Sequence, residues 1–201
     1  QKACEKDGCP LCTIINERIN RYIDGMLFEH ISDRTFRAQY REAGGFCDRH
    51  AKKLLTFRDG LAVAILGQGT LSDYIEDFKK KKMRKYKESC PACAEQERIE
   101  KEFLSFIAES HDEESDAELQ RFFTHSEGLC VKHYAQMVSQ VKRVPKWVSI
   151  FQEEKFKRLL DRTNTFIDNS AWGKQEQFAA LSDADKVVWK ELAAALRSQI
   201  E

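Results

Sequence analysis

Apolar residues recur along most of the chain with the spacing of an amphipathic helix. In the first quarter Leu11, Ile15 and Ile19 begin such a stripe, and it continues through Tyr22 and Met26. A spacing of three and four residues places these side chains on one helix face. A similar stripe in the second half is formed by Ile99, Phe103, Phe106 and Ile107. The period-two alternation of a half-buried strand is absent, so the sequence predicts an all-α helical bundle.

Two longer apolar stretches extend this prediction. One runs from Leu54 to Phe78, and we expect a long helix there with a bend near Gly67 and Gly69. The other runs from Met137 to Leu159, where Pro145 predicts a break. A last helix is predicted to start near Ser182 and to carry Val188, Leu192 and Leu196.

Two short motifs each occur twice in the same order. CPLC at residues 9–12 matches CPAC at 90–93, and GFCDRH at 45–50 matches GLCVKH at 128–133. Pro10 and Pro91 suit the first position of a helix, where the missing N–H has no partner to lose. The repetition indicates an internal duplication. We therefore predict a first repeat at 1–88, a second at 89–170, and a C-terminal helix packing on the bundle at 171–201.

The repeated motifs supply two matched sets of metal ligands. Zinc in structural sites is held by four Cys or His donors, and Cys3His is a common set. We expect each repeat to close its own Cys3His site through a helical hairpin, and the helix N-termini to favour thiolates. The predicted ligands are Cys9, Cys12, Cys47 and His50 in the first repeat and Cys90, Cys93, Cys130 and His133 in the second.

Cys4 leaves the identity of the metal open. Cys4, Cys9 and Cys12 read C-x4-C-x2-C, a spacing also found in plant-type [2Fe–2S] proteins. The second repeat has Lys85 where the first has Cys4, so the shared chemistry has to work with three cysteines and a histidine. Zinc accepts that set routinely, whereas iron–sulfur clusters are normally held by four cysteines. We favour two Zn²⁺ ions and keep two [4Fe–4S] clusters as the alternative.

Composition narrows the class of protein. The chain has 33 basic and 33 acidic residues and a formal net charge of zero, so a global field that attracts nucleic acid is absent. No apolar run approaches the ~20 residues of a membrane helix, and no secretion signal is visible. Seven cysteines, six of them in matched sets, favour metal binding in a reducing compartment over a disulfide framework. We expect a cytoplasmic protein that binds neither membrane nor nucleic acid.

Other uses of these cysteines fit the sequence less well. Dithiol redox motifs are usually carried by a βαβ scaffold, which is not predicted here. Covalent haem attachment requires CxxCH, but Thr13 and Ala94 occupy the histidine positions. Four protein ligands also leave no open position on a metal, as a catalytic zinc would need.

The duplicated CPxC and GxCxxH motifs resemble an uncharacterised prokaryotic family catalogued as a domain of unknown function. The resemblance rests on the eight ligand residues together with Gly45 and Gly128, and it extends to the helix around Trp189. It implies a cytoplasmic prokaryotic protein and suggests no activity.

These observations predict a non-enzymatic protein with two structural metal sites that serves as an interaction or adaptor module for another protein of unknown identity. The alternative is an electron-transfer protein with two iron–sulfur clusters held by Cys3His ligands. A third hypothesis is a zinc–thiolate redox switch, in which oxidation releases the metal.

Overall fold

The computed structural model describes residues 2–83, 85, 90–110 and 116–196, with the side chain of residue 30 left aside. Within these ranges the secondary structure is helical and no strand occurs, so the predicted all-α class is confirmed. The helices are α1 (Pro10–Gly25), α2 (Arg34–Glu42), α3 (Asp48–Leu55), α4 (Gly60–Lys79), α5 (Pro91–Ala108), α6 (Ala117–Thr124), α7 (Val131–Gln140), α8 (Lys146–Asn169), α9 (Gln175–Ala180), α10 (Asp183–Lys186) and α11 (Val188–Leu196). A π-helical segment, Met26–His30, follows α1 directly.

Local signals explain several helix ends. Pro10 and Pro91 are the first residues of α1 and α5, as predicted. The Asp33 side chain caps α2 by accepting a hydrogen bond from the Thr35 N–H at 2.7 Å. Pro145 precedes α8, so the predicted break there is confirmed.

The segment from Leu54 to Phe78 is broken at a different place from the predicted bend. Helix α4 runs without interruption through Gly67 and Gly69, and the chain instead breaks at residues 56–59. There Arg58 has a φ of 58°, and Asp59 accepts a hydrogen bond from the Ala62 N–H at 2.9 Å to start α4. The boundary is marked by this N-cap aspartate, a local signal that the apolar periodicity does not contain.

The chain divides into two compact units that differ from the predicted ranges. The first unit comprises Gln1–Ile14 and Glu100–Glu201, and the second comprises Ile15–Ile99. Helix α1 therefore begins in the first unit and continues in the second, and α5 begins in the second unit and continues in the first. The ranges 1–88, 89–170 and 171–201 follow the sequence motifs and stay a prediction, as does the duplication.

Each unit has its own buried apolar residues. In the first unit Phe123 is enclosed between the rings of Trp147 and Phe151, with edge-to-face centroid distances of 5.5 and 5.7 Å. Other buried residues there are Leu104, Ile107, Leu129, Met137, Val148, Leu159 and Val188. The core of the second unit includes Ile19, Ile23, Met26, Tyr40, Leu54, Leu66 and Ile99.

No helix in the described part of the chain is both long and apolar enough to cross a membrane.

Candidate metal centres

The eight predicted ligands lie in two clusters, but they are paired differently from the prediction. The first cluster consists of Cys9, Cys12, Cys130 and His133, and the second of Cys47, His50, Cys90 and Cys93. In each cluster the four donor atoms lie within 4.8 Å of one another. The CPxC motif of one repeat thus meets the CxxH motif of the other. The prediction that each repeat closes its own site, pairing Cys9 and Cys12 with Cys47 and His50, is wrong.

Helix lengths give the physical reason for this crossed pairing. Helix α1 has 16 residues and α2 has 9, so at 1.5 Å per residue they span about 24 and 14 Å. The same mismatch separates α5, with 18 residues or about 27 Å, from α6, with 8 residues or about 12 Å. By itself, a return helix half as long as the outgoing one leaves its CxxH motif about 10 to 15 Å short of the CPxC motif where the hairpin started.

Every pair of ligands lies at the start of a helix, in the same local geometry. Cys9, Cys90, Cys47 and Cys130 each precede the first residue of a helix, and their carbonyls accept hydrogen bonds of 2.8–3.2 Å from the N–H four residues later. The second donor of each pair is the third helical residue. Side chains at these two positions face each other, as they do in a capping box. Two such helix starts, each with its positive dipole end, converge in each cluster and favour thiolates.

The donor distances fit one metal ion in each cluster. Four donors at ~2.0–2.3 Å around a single zinc ion form a tetrahedron with sulfur–sulfur edges of about 3.8 Å and sulfur–nitrogen edges of about 3.5 Å. In the first cluster the Cys12 and Cys130 Sγ atoms are 3.9 Å apart, and His133 Nδ1 lies 3.3–3.5 Å from the sulfurs of Cys9, Cys12 and Cys130. In the second, Cys47 and Cys93 Sγ are 3.6 Å apart, and His50 Nδ1 lies 3.3–3.5 Å from the sulfurs of Cys47, Cys90 and Cys93. Both groups have the shape needed to hold a metal ion.

The glycine two residues before each CxxH cysteine has a geometric purpose. Gly128 has a φ of 65°, and a Cβ there would lie 2.9 Å from Gln152 Oε1. Gln152 is fully buried, and its amide binds both the N–H and the carbonyl of Leu129 at 2.9 Å. The absence of a side chain at residue 128 lets Gln152 reach the residue that immediately precedes Cys130, which fixes that ligand.

At the second cluster, Tyr40 holds the residue that precedes the CxxH cysteine. Gly45 has a φ of 89°, and a Cβ there would lie 3.3 Å from the Tyr40 hydroxyl oxygen. That hydroxyl accepts a hydrogen bond from the backbone N–H of Phe46, the residue before Cys47. Gly44 and Gly45 also end α2, donating to the carbonyls of Arg41 and Tyr40 at 3.0 and 2.9 Å.

A buried carboxylate lies behind the histidine of the first cluster. Glu100 is 5% exposed, and its Oε1 is 3.5 Å from His133 Nε2, the ring nitrogen that faces away from the sulfurs. Gln136 donates to the other oxygen of Glu100 at 3.0 Å, and Lys132 lies 3.7 Å from Oε1. Metal-bound histidines usually direct their second nitrogen to such a group, which fixes the ring and strengthens it as a ligand. The sequence motifs did not single out Glu100. The available signal was its position three residues before Phe103 and seven before Ile107, which places a charged residue on the apolar face of α5.

The charges around the two histidines differ. Burial works to lower the pKa of His133, but the sulfurs of Cys130 and Cys9 and the Glu100 carboxylate raise it to about 11. Burial lowers the pKa of His50, and the nearby charges of Arg49 and Lys53 lower it further.

The thiols also act on one another. The pKa of Cys12 is raised, first by Cys130 and Cys9 and then by burial, and burial together with Cys47 and Cys90 raises the pKa of Cys93 to about 12. Four converging donors of this kind need protons or a cation between them.

Cys4 belongs to neither cluster. It is half-buried, and burial raises the pKa of its thiol, while a hydrogen bond with Ser126 opposes that shift. The C-x4-C-x2-C spacing therefore does not describe a ligand set in the described structure.

Comparisons with known proteins find similarity to a protein family and to one further protein. Residues 2–89 match the sequence model of a family of unknown function, DUF6062. This range contains one CPxC and one GxCxxH motif. The chain is also 26% identical over 145 residues, 70% of either chain, to an uncharacterised 23.9 kDa protein in the xynA 3′ region of Caldicellulosiruptor sp. (strain Rt8B.4). No solved structure matches. The resemblance to an uncharacterised family is confirmed for residues 2–89, and its extension to the helix around Trp189 stays a prediction.

Proposed function

We propose that this protein is a non-enzymatic helical protein whose two clusters each hold a structural Zn²⁺ ion, and that it serves as an interaction module for another protein. The observation that carries the proposal is the spacing of the donor atoms, all within 4.8 Å of one another in each cluster.

Zinc is the metal that this donor set favours. Zinc binds Cys3His tetrahedrally as a matter of routine. A four-iron cluster instead places a cube of iron and sulfide between its ligands, which then lie much farther apart than donors around one ion. The short edges therefore support zinc over the alternative of an electron-transfer protein with two [4Fe–4S] clusters.

A structural role is supported by what each cluster connects. The first cluster joins Cys9 to His133, which are 124 positions apart in sequence, and the second joins His50 to Cys93, 43 positions apart. Closing such long loops costs chain entropy, which metal binding offsets, so metal binding and folding are coupled. With four protein donors in each cluster, no coordination position is left for a substrate, which argues against catalytic zinc.

An interaction role is supported by the exposed apolar side chains of α4. Leu61, Leu71 and Phe78 are exposed by 73, 61 and 62%, although they are large and apolar. Clusters of this kind on a surface mark sites of contact with other proteins. A cytoplasmic location is part of the same proposal, since reduced thiolates are needed to hold the metal.

Metal analysis of anaerobically purified protein, combined with its absorption spectrum, tests the metal. We expect two zinc ions per chain and no absorbance in the visible range. A brown protein containing iron and sulfide would contradict the proposal. Cys4→Ser is the matched control: its cysteine lies outside both clusters, so the zinc content should stay at two.

Chelation tests the structural role. Removal of both ions should lower the helical circular dichroism and the cooperativity of melting. A metal-free protein with unchanged helix content and an unchanged Tm would show that the metal is not structural.

A zinc–thiolate redox switch is the second candidate, and the exposure of Cys12 is the observation that favours it. Mild peroxide should then release zinc from the first cluster in a step that a thiol reductant reverses. Release only after irreversible oxidation would count against a switch.

A further inference from the structure

The C-terminal half of helix α4 buries polar residues and exposes apolar ones, the reverse of the usual arrangement. Thr70, Asp73 and Asp77 on its inner face are 6–9% exposed. Asp73 forms a bidentate ion pair with Arg41 of α2, which accounts for its burial. The packing of α4 against α2 thus uses charge, and four large apolar side chains of α4 are left exposed: Leu61, Leu71, Ile75 and Phe78.

The exposed side chains follow the spacing of a coiled-coil seam. Successive positions are separated by three, four, three, four and three residues, and this alternation is the a/d pattern of a heptad repeat. Their exposed fractions include 73% for Leu61, 61% for Leu71, 46% for Ile75 and 62% for Phe78. The seam comprises Leu61, Ala64, Gln68, Leu71, Ile75 and Phe78. This spacing fits the knobs and holes of a second helix, whereas a flat apolar surface imposes no such period.

We propose that this seam binds α4 of a second copy of the chain, in antiparallel orientation. This inference rests on the proposed interaction role and names the partner. In an antiparallel pair an a position faces a d position, so Leu61 meets Phe78 of the second copy, and Ala64 meets Ile75. Because the small Ala64 faces the larger Ile75, the spacing between the two helices stays uniform along the seam.

Charge at the helix ends decides the orientation. Exposed lysines, Lys80, Lys81 and Lys82, follow the last turn of α4. A parallel pair would bring both lysine runs together, and like charges repel. The antiparallel pair separates the runs by the length of the 20-residue helix, about 30 Å, and brings each near Asp59 of the other copy. The helix dipoles also favour this arrangement.

Sedimentation equilibrium of the metal-replete full-length chain over a range of concentrations tests the proposal. We expect a dimer that dissociates on dilution and that Leu71→Glu converts to a monomer. Leu160→Glu on α8 is the matched control, because Leu160 is 57% exposed and lies outside the seam. Gln68→Leu should tighten the dimer about tenfold, since it replaces the polar seam position by an apolar one.

A wild-type chain that is monomeric at every concentration overturns the proposal, as does equal behaviour of Leu71→Glu and Leu160→Glu. A monomer that binds vesicles of phosphatidylcholine and phosphatidylserine through Leu71 would overturn it by assigning the seam to a membrane. Metal content measured in parallel separates this inference from the proposed function: two zinc ions per chain in a monomeric protein would leave the metal assignment intact.

Photo-crosslinking tests the orientation. With benzoyl-phenylalanine in place of Leu61, the antiparallel pair should give a crosslink to the peptide that contains Phe78 of the second copy. A crosslink between the two Leu61 peptides would overturn the antiparallel assignment.

Discussion

The two metal centres share one ligand frame but have different surroundings. In both centres two helix starts converge. Each helix contributes the cysteine that precedes its first residue and the donor at its third residue. The first cluster combines buried and exposed ligands: Cys9 and Cys130 are 9 and 5% exposed, Cys12 is exposed, and the carboxylate of Glu100 lies behind the histidine. In the second, the cysteines are all half-buried, and the charges that act on His50 are those of Arg49 and Lys53.

This difference shows which properties the motif specifies. The residues of the motif set the kind of donor and its position on the helix. The surrounding elements set the burial, the group that faces the second histidine nitrogen and the local charge, and these determine how firmly a metal is held. Identical motifs can therefore produce centres of unequal stability.

The largest expected effect tests the crossed pairing itself. The double variant Cys47→Ser with Cys90→Ser removes two ligands from one cluster, so the protein should keep one of its two metal ions. The double variant Cys9→Ser with Cys47→Ser removes one ligand from each cluster and should weaken both sites, leaving little or no metal after dialysis. Metal content per chain after dialysis checks this. If the two double variants retained metal in the opposite pattern, each repeat would close its own site.

Smaller effects are expected from the side chains that hold the residue before each CxxH motif. Gln152→Leu leaves the buried N–H and carbonyl of Leu129 without partners and should lower the free energy of unfolding of the first unit by about 2–4 kcal/mol. Tyr40→Phe removes one hydrogen bond at Phe46 and should cost the second unit about 1 kcal/mol. Urea unfolding, followed with a probe in each unit, measures both. Equal costs would indicate that the two loops are held in the same way.

The most local effect concerns the carboxylate behind His133. Glu100→Gln keeps the size of the side chain but removes its charge, so metal affinity at the first cluster should fall by about 10- to 100-fold. The change is measured by competition with a chelator in a Cys93→Ser background, where only the first cluster is complete. In a Cys12→Ser background the same substitution should leave the second cluster unaffected. An unchanged affinity at the first cluster would show that Glu100 does not support His133.

The sequence alone determined the chemistry of the sites. The four ligand pairs in the CPxC and CxxH motifs, the prolines at the helix starts and the helical periodicity are local features, and each was predicted correctly from neighbouring residues. The apolar positions of α4 also predicted a helix. They gave no sign that this helix buries its aspartates, because the ion pair to Arg41 is a tertiary contact.

Only the tertiary structure decided which motif meets which. Motif order along the chain suggests that neighbours in sequence pair, and that would hold if each outgoing helix were matched by a return helix of equal length. Helices α2 and α6 are about half as long as α1 and α5, and each CxxH motif joins the CPxC motif of the other repeat instead of its own. Glu100 and Gln152 reach the first cluster from distant segments for the same reason: the packing of whole helices, which no short motif encodes, brings them there.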